Sequence, residues 1–491
     1  MDEVKDLFSQ RREKLKEIKD AGINPYINRF KVNHSIQSIL ERYSDFDNER
    51  LNDVSEVFTI AGRLITKRKH GKVIFCHIKD FTGKIQLYLR KDEFENNLFE
   101  LFLKFDIGDF IGTSGKVFKT KTGELTLWVK DFKLLSKSLR PLPEKWHGLR
   151  DIEIRYRQRY LDLIANEEVK KIFVLRSRII EKIRNFLNSM KFLEVETPMM
   201  QPIPGGAAAK PFVTHHNTLN MTLYLRIAPE LYLKRLIVGG LERVYEINKS
   251  FRNEGISSEH NPEFTMLEFY MAYADYNDLM DITEKMIAFI AKEVLGTTHI
   301  NYNGEEIDLS GSWRRYTLKE SMIKIGGINP KIIEDKNESK KYAHDLQIPQ
   351  SGKEGHAKLL NEIFERVVEP KLIQPTFITD YPIEISPLAK KKEDNPGLVE
   401  RFEIFIGGKE IGNAYTELND PLDQEQRFKE QLRKSTDGED GMISIDKDYI
   451  RALEYGMPPT AGEGIGIDRL VMIMTGSTSI RDVILFPQLK D

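Results

Sequence analysis

The stretch FRNEGISSEHNPEFTMLEFY, residues 251–270, combines a strand-like alternation of apolar side chains with an unusually high number of charges. The residues 243–254 alternate in the same way, and the polar loop 255–262 separates this run from the one that follows. Two alternating runs joined by a short polar loop predict an antiparallel hairpin. The charges then need an explanation, because strands of this apolar character are normally buried.

One face of this hairpin is predicted to combine aromatic rings with charged groups. By strand parity, Arg252 and Glu254 share one face of the first strand. Phe264, Glu268 and Tyr270 share one face of the second strand. A solvent-exposed face with surface ion pairs is the alternative, but the aromatic side chains among the charges disfavour it. A surface that is both apolar and charged predicts a pocket for a flat, charged ligand.

A second hairpin is predicted in VERFEIFIGGKEIGNAYTEL, residues 399–418. Gly407 and Gly408 lie between two strand-like runs, which is a good signal for a two-residue turn. Glu403 and Glu410 then lie on paired strands, where two carboxylates and the phosphates of a nucleotide suit a magnesium ion. Two exposed acids near a turn, without any ligand, are the alternative interpretation.

Strand parity also groups the polar residues at the end of this second hairpin. Asn413, Tyr415 and Glu417 share one face, whereas Glu410 has the opposite parity. A β-bulge at Gly412 would turn Glu410 toward the other three, since a bulge inserts one unpaired residue into a strand. The pattern therefore predicts a second group of polar side chains that face the same way.

A third segment, PPTAGEGIGIDRLVMIMTG (458–476), places glycines before an apolar run that is predicted to be a helix. Arg469 lies near the start of that helix, where a guanidinium and the helix dipole both favour phosphate. The spacing is not the dinucleotide-binding fingerprint, because Ile467 stands where a third glycine would be expected. Alone, the segment is a weak signal for a phosphate site.

The first part of the chain has the pattern of a small β-barrel. Three short β-branched and aromatic runs, a helical patch and two further strand-like runs follow one another within about 80 residues, as in an OB-fold. Such barrels often bind single-stranded nucleic acid, and a general protein-interaction barrel is the alternative. The predicted domains are a helical extension, an OB-fold domain, a linker and a mixed α and β domain, over residues 1–54, 55–136, 137–166 and 167–491.

Length and composition fit a multidomain protein of the cytoplasm. A chain of 491 residues predicts two or three domains. A single cysteine, Cys76, excludes an internal disulfide and fits a reducing compartment. The N-terminus is charged at helical spacing, unlike a signal peptide, and no stretch approaches the roughly 20 apolar residues of a membrane span. The net charge of -2 neither requires nor excludes a nucleic acid partner.

Several of these segments resemble the class II aminoacyl-tRNA synthetases. The three signature motifs of that class are matched in order by residues 192–200 (FLEVETPMM), 251–275 and 464–470 (GIGIDRL). The resemblance is narrowed to the bacterial lysyl-tRNA synthetases, over about residues 5 to 488, by the segments 204–217, 226–240, 377–390 and 480–487. It implies an α+β fold with an N-terminal OB-fold β-barrel and an antiparallel β-sheet catalytic domain flanked by helices.

The resemblance also implies the substrates and the assembly. A member of this family activates L-lysine with ATP and Mg²⁺ and transfers it to tRNA(Lys). Homodimerisation is expected because residues 192–200 resemble the interface element of the family. The alternatives are a synthetase for aspartate or asparagine, a catalytically inactive RNA-binding paralogue, and a truncated paralogue that lysylates a protein. That truncated type lacks the barrel, which this chain has.

Roles in ATP binding follow from the resemblance, position by position. Arg252 corresponds to the arginine that bridges the amino-acid carboxylate and the α-phosphate, and Arg469 to the one that contacts the γ-phosphate. Glu254 corresponds to the acid that faces the adenine amino group, and Phe264 to the ring stacked on adenine. His260 lies on the side of the β- and γ-phosphates, with Asn261 beside it. Glu403 and Glu410 correspond to the magnesium ligands.

Lysine and anticodon positions follow in the same way. The α-amino group of lysine is expected at Glu230 and the backbone of Gly206. The ε-ammonium is expected among Glu268, Tyr270 and Glu417, with Asn413 and Tyr415 lining the same site, although the family often has phenylalanine where Tyr415 stands. The anticodon is expected to be read by Arg68, Phe75, Gln86 and Glu124.

Overall fold

The computed structural model describes most of the chain, namely residues 2–94, 98–143, 149, 151–207, 209–349, 355–434 and 444–490. The chain divides into two compact units, Met1–Arg150 and Asp151–Asp491. The division falls inside the predicted linker 137–166, and residues 152–165 of that linker form two helices of the second unit. Among the described residues, no helix combines the length and the apolar character needed to cross a membrane.

The first unit is a closed five-stranded barrel with the strand order β1-β2-β3-β5-β4. Its strands are β1 (Phe58–His70), β2 (Val73–Lys79), β3 (Lys84–Arg90), β4 (Phe110–Lys119) and β5 (Leu125–Ser136). Its helices are α1 (Asp2–Asp20), α2 (Ile36–Tyr43), α3 (Asn48–Asn52), a 3₁₀ turn at Lys91–Glu93, and α4 (Leu98–Leu103). Three strands, a helix and two strands thus follow in the predicted order of an OB-fold.

Alternating burial explains why these runs close into a barrel. In β2, Ile74, Cys76 and Ile78 are fully buried in the barrel core, whereas the residues between them face outward. The predicted N-terminal extension is part of the same unit, since Ile18 of α1 and Ile36 of α2 belong to this core. The first unit therefore holds one hydrophobic core rather than a barrel with a separate arm.

The second unit is built on an eight-stranded sheet with the order β14-β15-β16-β17-β18-β11-β10-β6. Neighbouring strands are antiparallel, except that β14 with β15 and β10 with β6 are parallel. The strands of the sheet are β6 (Leu193–Glu194), β10 (Arg243–Phe251), β11 (Glu263–Ala272), β14 (Arg314–Thr317), β15 (Thr376–Thr379), β16 (Arg401–Ile406), β17 (Lys409–Thr416) and β18 (Thr460–Gly466). Two smaller sheets hold β7 (Met200–Gln201), β8 (Val213–His216), β9 (Met221–Leu225), β12 (His299–Tyr302) and β13 (Glu305–Asp308).

Helices complete the second unit. In chain order they are α5 (Ile152–Arg157), α6 (Arg159–Ala165), α7 (Glu167–Ser189), α8 (Glu230–Val238), α9 (Tyr276–Leu295), α10 (Leu318–Lys324), α11 (Pro330–Glu334), α12 (Lys336–Asp345), α13 (His356–Val367), α14 (Pro421–Lys434), α15 (Lys447–Glu454), α16 (Ile467–Thr475) and α17 (Ile480–Val483). Residues of α7, α9 and α16 share one core with the side chains on one face of the sheet, such as Leu267 and Phe269. On the opposite face of the sheet, Val244 and Ala272 pack with residues of α8 and α15 in a smaller cluster, and polar side chains lie beside it.

The hairpin of β10 and β11 forms as predicted, but its first strand is shorter. Residues 243–254 were predicted to be a strand, and β10 ends at Phe251. The Arg252 amide still donates to the Pro262 carbonyl at 2.9 Å. Proline has no N–H to return the second bond of the pair, so the strand ladder stops there. Arg252 and Glu254 therefore lie in the loop after the strand.

The hairpin of β16 and β17 has the predicted two-residue turn and bulge. Gly407 and Gly408 both adopt positive φ, 63° and 72°, the conformation that favours glycine in such a turn. The pairing then shifts by one residue, since Phe405 pairs with Glu410 but Ile404 pairs with Gly412. This bulge brings Glu410 toward the same face as the polar residues farther along β17.

Candidate active site

A cavity of about 1260 Å³ lies on the face of the large sheet opposite α7, α9 and α16. Residues of β11, β17 and β18 form its floor, and the start of α8, the loop after β10 and the start of α16 form its sides. All predicted active-site residues except Glu417 line it: Gly206, Glu230, Arg252, Glu254, His260, Asn261, Phe264, Glu268, Tyr270, Glu403, Glu410, Asn413, Tyr415 and Arg469.

Arg252 is the central cation of the cavity. Its guanidinium lies 5.0 Å from the centre of the Phe264 ring. Its Nε is buried and has no hydrogen-bond partner among the described residues. Burial lowers the pKa of Arg252, against the opposing effect of Glu410 and Glu254. A buried cation with an unused donor is costly unless an anion completes it, so Arg252 is arranged for an anionic ligand.

Arg469 is held at the opposite wall by Glu410 and His260. Its Nη1 donates to the Glu410 carbonyl at 2.7 Å and to Glu410 Oε2 at 3.3 Å. Its Nη2 lies 3.1 Å from His260 Nε2. Since arginine can only donate, Nε2 accepts and the imidazole is neutral in this contact. Partial burial and the Arg469 charge both lower the pKa of His260, in agreement with a neutral ring.

Asn261 and Glu254, both assigned to ATP, differ in what they offer a ligand. The Asn261 amide donates to the Glu263 carbonyl at 2.6 Å and accepts from the Gln488 amide at 3.3 Å. Its side chain is thus used to hold the backbone around the cavity. Glu254 is exposed in the loop after β10, where its carboxylate is accessible to a ligand.

Three buried carboxylates surround the far end of the cavity. Glu230, Glu268 and Glu417 are 5%, 4% and 1% exposed. Glu268 Oε2 accepts from the Tyr270 hydroxyl at 3.2 Å, and burial with the nearby Glu230 raises the pKa of Glu268 to about 8. Glu230 Oε1 accepts from the Tyr415 hydroxyl at 2.6 Å. Acids buried this closely are costly as anions, which makes the site selective for a cation.

Glu417 differs from the prediction, because its carboxylate lies behind the lining of the cavity and is paired with Lys234. The same lysine donates to Glu230 Oε1 at 2.5 Å. Sequence analysis did not identify Lys234. The available signal was its position four residues after Glu230, because side chains at this spacing meet on one face of a helix such as α8.

Gly206 is required by close packing. Its φ of 86° lies in the left-handed region, and a Cβ there would stand 3.1 Å from the Cβ atoms of Ala228 and Glu230. A side chain would therefore clash at the point where the helix α8 begins. The glycine lets the backbone of residue 206 approach the Glu230 carboxylate.

Comparisons with known proteins agree with this geometry. A family model described as tRNA synthetases class II (D, K and N) matches residues 151–490. A second, described as OB-fold nucleic acid binding domain, matches residues 58–135. The two matches correspond to the two units of the structure.

Proteins that are similar over the full length show which family of class II synthetases the chain belongs to. The chain is 56% identical to a lysine–tRNA ligase of Pelotomaculum thermopropionicum, over all of this chain and 96% of the relative. It is 54% identical to one of Carboxydothermus hydrogenoformans over 99% of both chains. It is 55% identical to one of Staphylococcus epidermidis over all of this chain and 99% of the relative. The chain belongs to the lysine–tRNA ligase family.

These matches confirm the predicted family, and the structure confirms the predicted fold. It is a class II aminoacyl-tRNA ligase with an N-terminal OB-fold domain and a catalytic domain built on a mainly antiparallel sheet. The reported relatives are named for lysine, not for aspartate or asparagine, although the family model covers all three.

Glu403 and Glu410, the two acids assigned to magnesium, fit a divalent cation that phosphates also bind. Glu403 is bound by Arg401 at 2.5 Å and by the Tyr381 hydroxyl at 2.7 Å. Burial, opposed by Arg401 and reinforced by Glu410, raises the pKa of Glu403. No described group of three or more His, Cys, Asp or Glu side chains is arranged to hold a metal alone. Phosphate oxygens would have to complete the coordination.

Two further acids that sequence analysis missed lie in the same region. Burial and the carboxylates of Glu403 and Glu410 raise the pKa of Glu365 to about 7. Burial and Glu410 likewise raise the pKa of Glu369 to about 7. Carboxylates that repel one another in this way are relieved by a cation. The donor set therefore fits Mg²⁺.

The four predicted anticodon residues lie together on the outside of the barrel of this family member. Arg68 on β1 pairs with Phe75 on β2, and Gln86 on β3 pairs with His77 on β2. Gln86 Nε2 donates to Glu124 Oε2 at 2.8 Å, and the Gln86 side-chain oxygen accepts from a neighbouring threonine hydroxyl. Gln86 and Glu124 are thus hydrogen-bonded to each other, next to the paired Arg68 and Phe75 positions.

Aromatic rings extend this surface beyond the predicted residues. The Phe75 ring lies 5.2 Å from that of Tyr88, which in turn contacts Phe118 and Trp128. Lys130 lies 4.0 Å from the centre of the Trp128 ring. Rings and cations of this kind are typical of a surface that stacks nucleic acid bases. The family resemblance identified Phe75 but not the other three rings.

Proposed function

We propose that this chain activates L-lysine with ATP to lysyl-adenylate and transfers lysine to the 3′ end of tRNA(Lys). The observation that supports this most strongly is the buried acidic end of the cavity, with Glu230, Glu268 and Tyr270, in the same cavity as Arg252, whose Nε has no hydrogen-bond partner among the described residues. Acids at one end and an arginine in the middle suit an amino acid with an additional ammonium group and a carboxylate. A stacking ring and a second arginine complete a nucleotide site beside it.

Activation needs no nucleophilic side chain. A carboxylate oxygen of lysine attacks the α-phosphorus of ATP, the bond to the β-phosphate oxygen breaks, and pyrophosphate leaves. Arg252 bridges the carboxylate and the α-phosphate, and Arg469 neutralises the γ-phosphate. Fixing both reactants in line and neutralising their charge supplies the rate. In the second step a terminal ribose hydroxyl of tRNA displaces AMP from the adenylate.

The remaining roles in the nucleotide site are assigned in the same way. Phe264 stacks on adenine and Glu254 accepts from its amino group, while neutral His260 contacts the outer phosphates, with Asn261 shaping the loop. Glu403 and Glu410 would hold Mg²⁺ together with those phosphates. When bound, the ion offsets the negative charge that the phosphates bring into an acidic region.

Lysine specificity is assigned to the acidic end. Glu230 and the backbone of Gly206 receive the α-ammonium, and Glu268, Tyr270 and Glu417 receive the ε-ammonium. Asn413 and Tyr415 line the same space. An analogue without the terminal ammonium leaves the buried Glu268 carboxylate without a cationic partner, and sites of this type reject such analogues strongly.

The lysine KM is expected to fall as pH rises from 6.5 to about 8. The pKa of Glu268 is raised to about 8 in the free protein, and only its ionised form pairs with an ammonium. Lysine binding below that pH must therefore release a proton, which weakens binding as pH falls. The measurement is the lysine KM in pyrophosphate–ATP exchange, with the ATP KM as the control. A lysine KM that stays constant or rises with pH would contradict the assignment.

The barrel is proposed to read the anticodon of tRNA(Lys), with Arg68 and Glu124 flanking Phe75 and Gln86. Phe75→Ala and Gln86→Ala are expected to raise the tRNA KM, since base–aromatic stacking contributes roughly 1–3 kcal/mol per base. Exchange without tRNA should be unchanged. If both variants lose charging and exchange together, the barrel is only destabilised and the anticodon assignment is wrong.

A homodimer is proposed on the basis of the exposed apolar side chains around residues 192–225. β6 lies at one end of the large sheet, and Leu193, Met200, Val213 and Leu219 are each more than half exposed. Exposed apolar groups on one segment favour burial against a second copy. Because a single cysteine fits a reducing compartment, we assign the dimer to the cytoplasm.

The double variant Met200→Asp, Val213→Asp is expected to shift the protein from dimer to monomer and to lower exchange activity, because two carboxylates would be buried at the interface. Light scattering combined with gel filtration measures the mass. Tyr455→Asp changes a more exposed aromatic residue elsewhere and should leave the mass unchanged. An active wild-type monomer at assay concentration would contradict the dimer.

Charging assays test the proposed transfer step. The protein should attach lysine to lysine tRNA in the presence of ATP and Mg²⁺ and should not attach it to a protein acceptor. An inactive RNA-binding paralogue would bind the tRNA without charging it. Lysylation of a protein acceptor without tRNA charging would replace the proposal with the paralogue activity.

A further inference from the structure

Lys234 is a fully buried ammonium at the acidic end of the cavity, and the roles assigned above do not use it. It donates to Glu230 Oε1 at 2.5 Å, one helical turn back on α8, and pairs with Glu417 Oε2 just after β17. Its Nζ lies 5.4 Å from the centre of the Tyr415 ring, and the Tyr449 hydroxyl on α15 is the other titratable group acting on it. Burial disfavours its charge, but the two carboxylates more than offset this and raise the pKa of Lys234.

Lys234 engages one oxygen of each carboxylate and leaves the other free. The hydrogen bonds of Glu230 within the described structure are all made to Oε1. Its Oε2 faces Gly206, at 3.7 Å from the position a Cβ would take there. Glu417 Oε1 is buried, accepts no hydrogen bond from the described residues, and lies against Gly462. Both glycines line the cavity, so the free oxygen of Glu230 lies at its wall, and that of Glu417 lies against Gly462, directly behind the lining.

Lys234 also adjusts the charge of this end of the cavity to that of the substrate. Glu230, Glu268 and Glu417 provide three carboxylates, and the internal ammonium neutralises one of them. Two negative charges then remain for the two ammonium groups of lysine, while Arg252 is available for its carboxylate. A buried lysine is costly, and an apolar residue of similar length would fill the same space without that cost. The charge itself therefore needs a functional reason.

We propose that Lys234 is a specificity-determining positioning residue of the lysine pocket, which fixes one oxygen of Glu230 and one of Glu417 so that their free oxygens each receive an ammonium group of the substrate. The inference rests on the proposed activation of lysine. In this role Lys234 orients both carboxylates and keeps Glu417 ionised.

The ionisation state gives the proposal a measurable signature. Burial raises the pKa of Glu417, and Glu230 and Glu268 add to this, while the charge and hydrogen bond of Lys234 lower it. Without the ammonium, Glu417 would bind a proton more readily at neutral pH. A protonated acid attracts an ammonium poorly, so lysine binding would weaken most at low pH.

The test is pyrophosphate–ATP exchange with the Lys234→Met variant between pH 6.5 and 8.5. This range lies below the pKa of about 10.4 of a free ε-ammonium. The lysine KM is expected to rise about tenfold or more at pH 7, as on breaking a buried ion pair. The increase should be larger at pH 6.5 than at 8.5, and the ATP KM should stay within about twofold of wild type. Lys234→Arg, which retains the charge, should recover part of the lost affinity.

The Lys137→Met variant is the matched control. Lys137 is equally buried and is paired with Asp106 and Asp109 in the first unit. Its loss should lower the melting temperature without changing the lysine KM. If Lys234→Met does not fold, Lys234→Gln, which keeps a donor but no charge, should show the same rise.

The outcomes separate this inference from the proposed function. A wild-type protein without lysine-dependent exchange overturns the function itself. Wild-type exchange together with an unchanged lysine KM in the Lys234 variant overturns only the role of Lys234. A rise of the lysine and ATP KM values together, by the same factor at every pH, also overturns it, because that result indicates a residue that only packs α8.

Discussion

Replacing Arg252 by glutamine is expected to lower kcat for lysine-dependent exchange by about 10²–10³-fold, the cost of removing one preorganised donor that stabilises the transition state. The Arg252 side chain is half-buried, its Nε has no hydrogen-bond partner among the described residues, and its guanidinium lies over Phe264, so we propose that it contacts the carboxylate and the α-phosphate. The measurement is steady-state exchange at saturating ATP and lysine.

Arg315→Gln provides the matched control for Arg252. Arg315 is a partly exposed arginine of β14 that pairs with Asp281, away from the cavity lining. It should change neither kcat nor either KM, because surface pairs of this type contribute little. An Arg252→Gln enzyme with nearly wild-type kcat would mean that the transferring phosphate lies elsewhere.

Glu268→Gln is expected to lower kcat/KM for lysine by about a hundred- to a thousandfold, the range for loss of one partner in a buried charged pair. The same variant should melt at a temperature equal to or above that of wild type. The raised pKa of Glu268 means that the folded protein disfavours its ionised form, so this carboxyl destabilises the fold as pH rises from about 4.5 to about 8. Removing its charge removes that cost, as is common for functional sites.

Glu463→Gln is the matched control for Glu268. Glu463 lies on the neighbouring strand β18, and burial raises its pKa to about 8 as well. Its carboxylate accepts from the Thr283 hydroxyl of α9, on the helix-covered face of the sheet. This variant should also melt no lower than wild type, but its lysine KM should not change. If both variants lose lysine binding equally, Glu268 acts through the stability of the sheet rather than through the substrate.

Alternation and turn chemistry were sufficient to predict most of the fold. The order of the predicted strands and helix indicated the barrel. Gly407 and Gly408 indicated the hairpin turn, because a two-residue turn of this type requires positive φ. Parity placed Phe264, Glu268 and Tyr270 on one face, and all three line the cavity. These features depend on residues close together in sequence, where the period of two alone decides the face.

The features that were missed depend on contacts between distant segments. Parity gives the face of a strand but not the depth of a side chain, so it could not show that Glu417 lies behind the cavity wall. Lys234 pairs with Glu417 across a long separation in sequence, and no local pattern connects them. The early end of β10 required knowing that Pro262 lies opposite Arg252. The short helices in the predicted linker have few periodic residues, so the pattern did not predict them.

Pyrophosphate–ATP exchange, measured with each of the twenty amino acids in turn, is the direct test of whether this protein activates lysine. It requires neither tRNA nor the barrel, so it reports on the cavity alone. We expect Mg²⁺-dependent exchange with lysine. We expect little exchange with aspartate, asparagine or other amino acids that lack a terminal ammonium. Exchange with aspartate or asparagine but not with lysine, or none with any amino acid, would contradict this expectation.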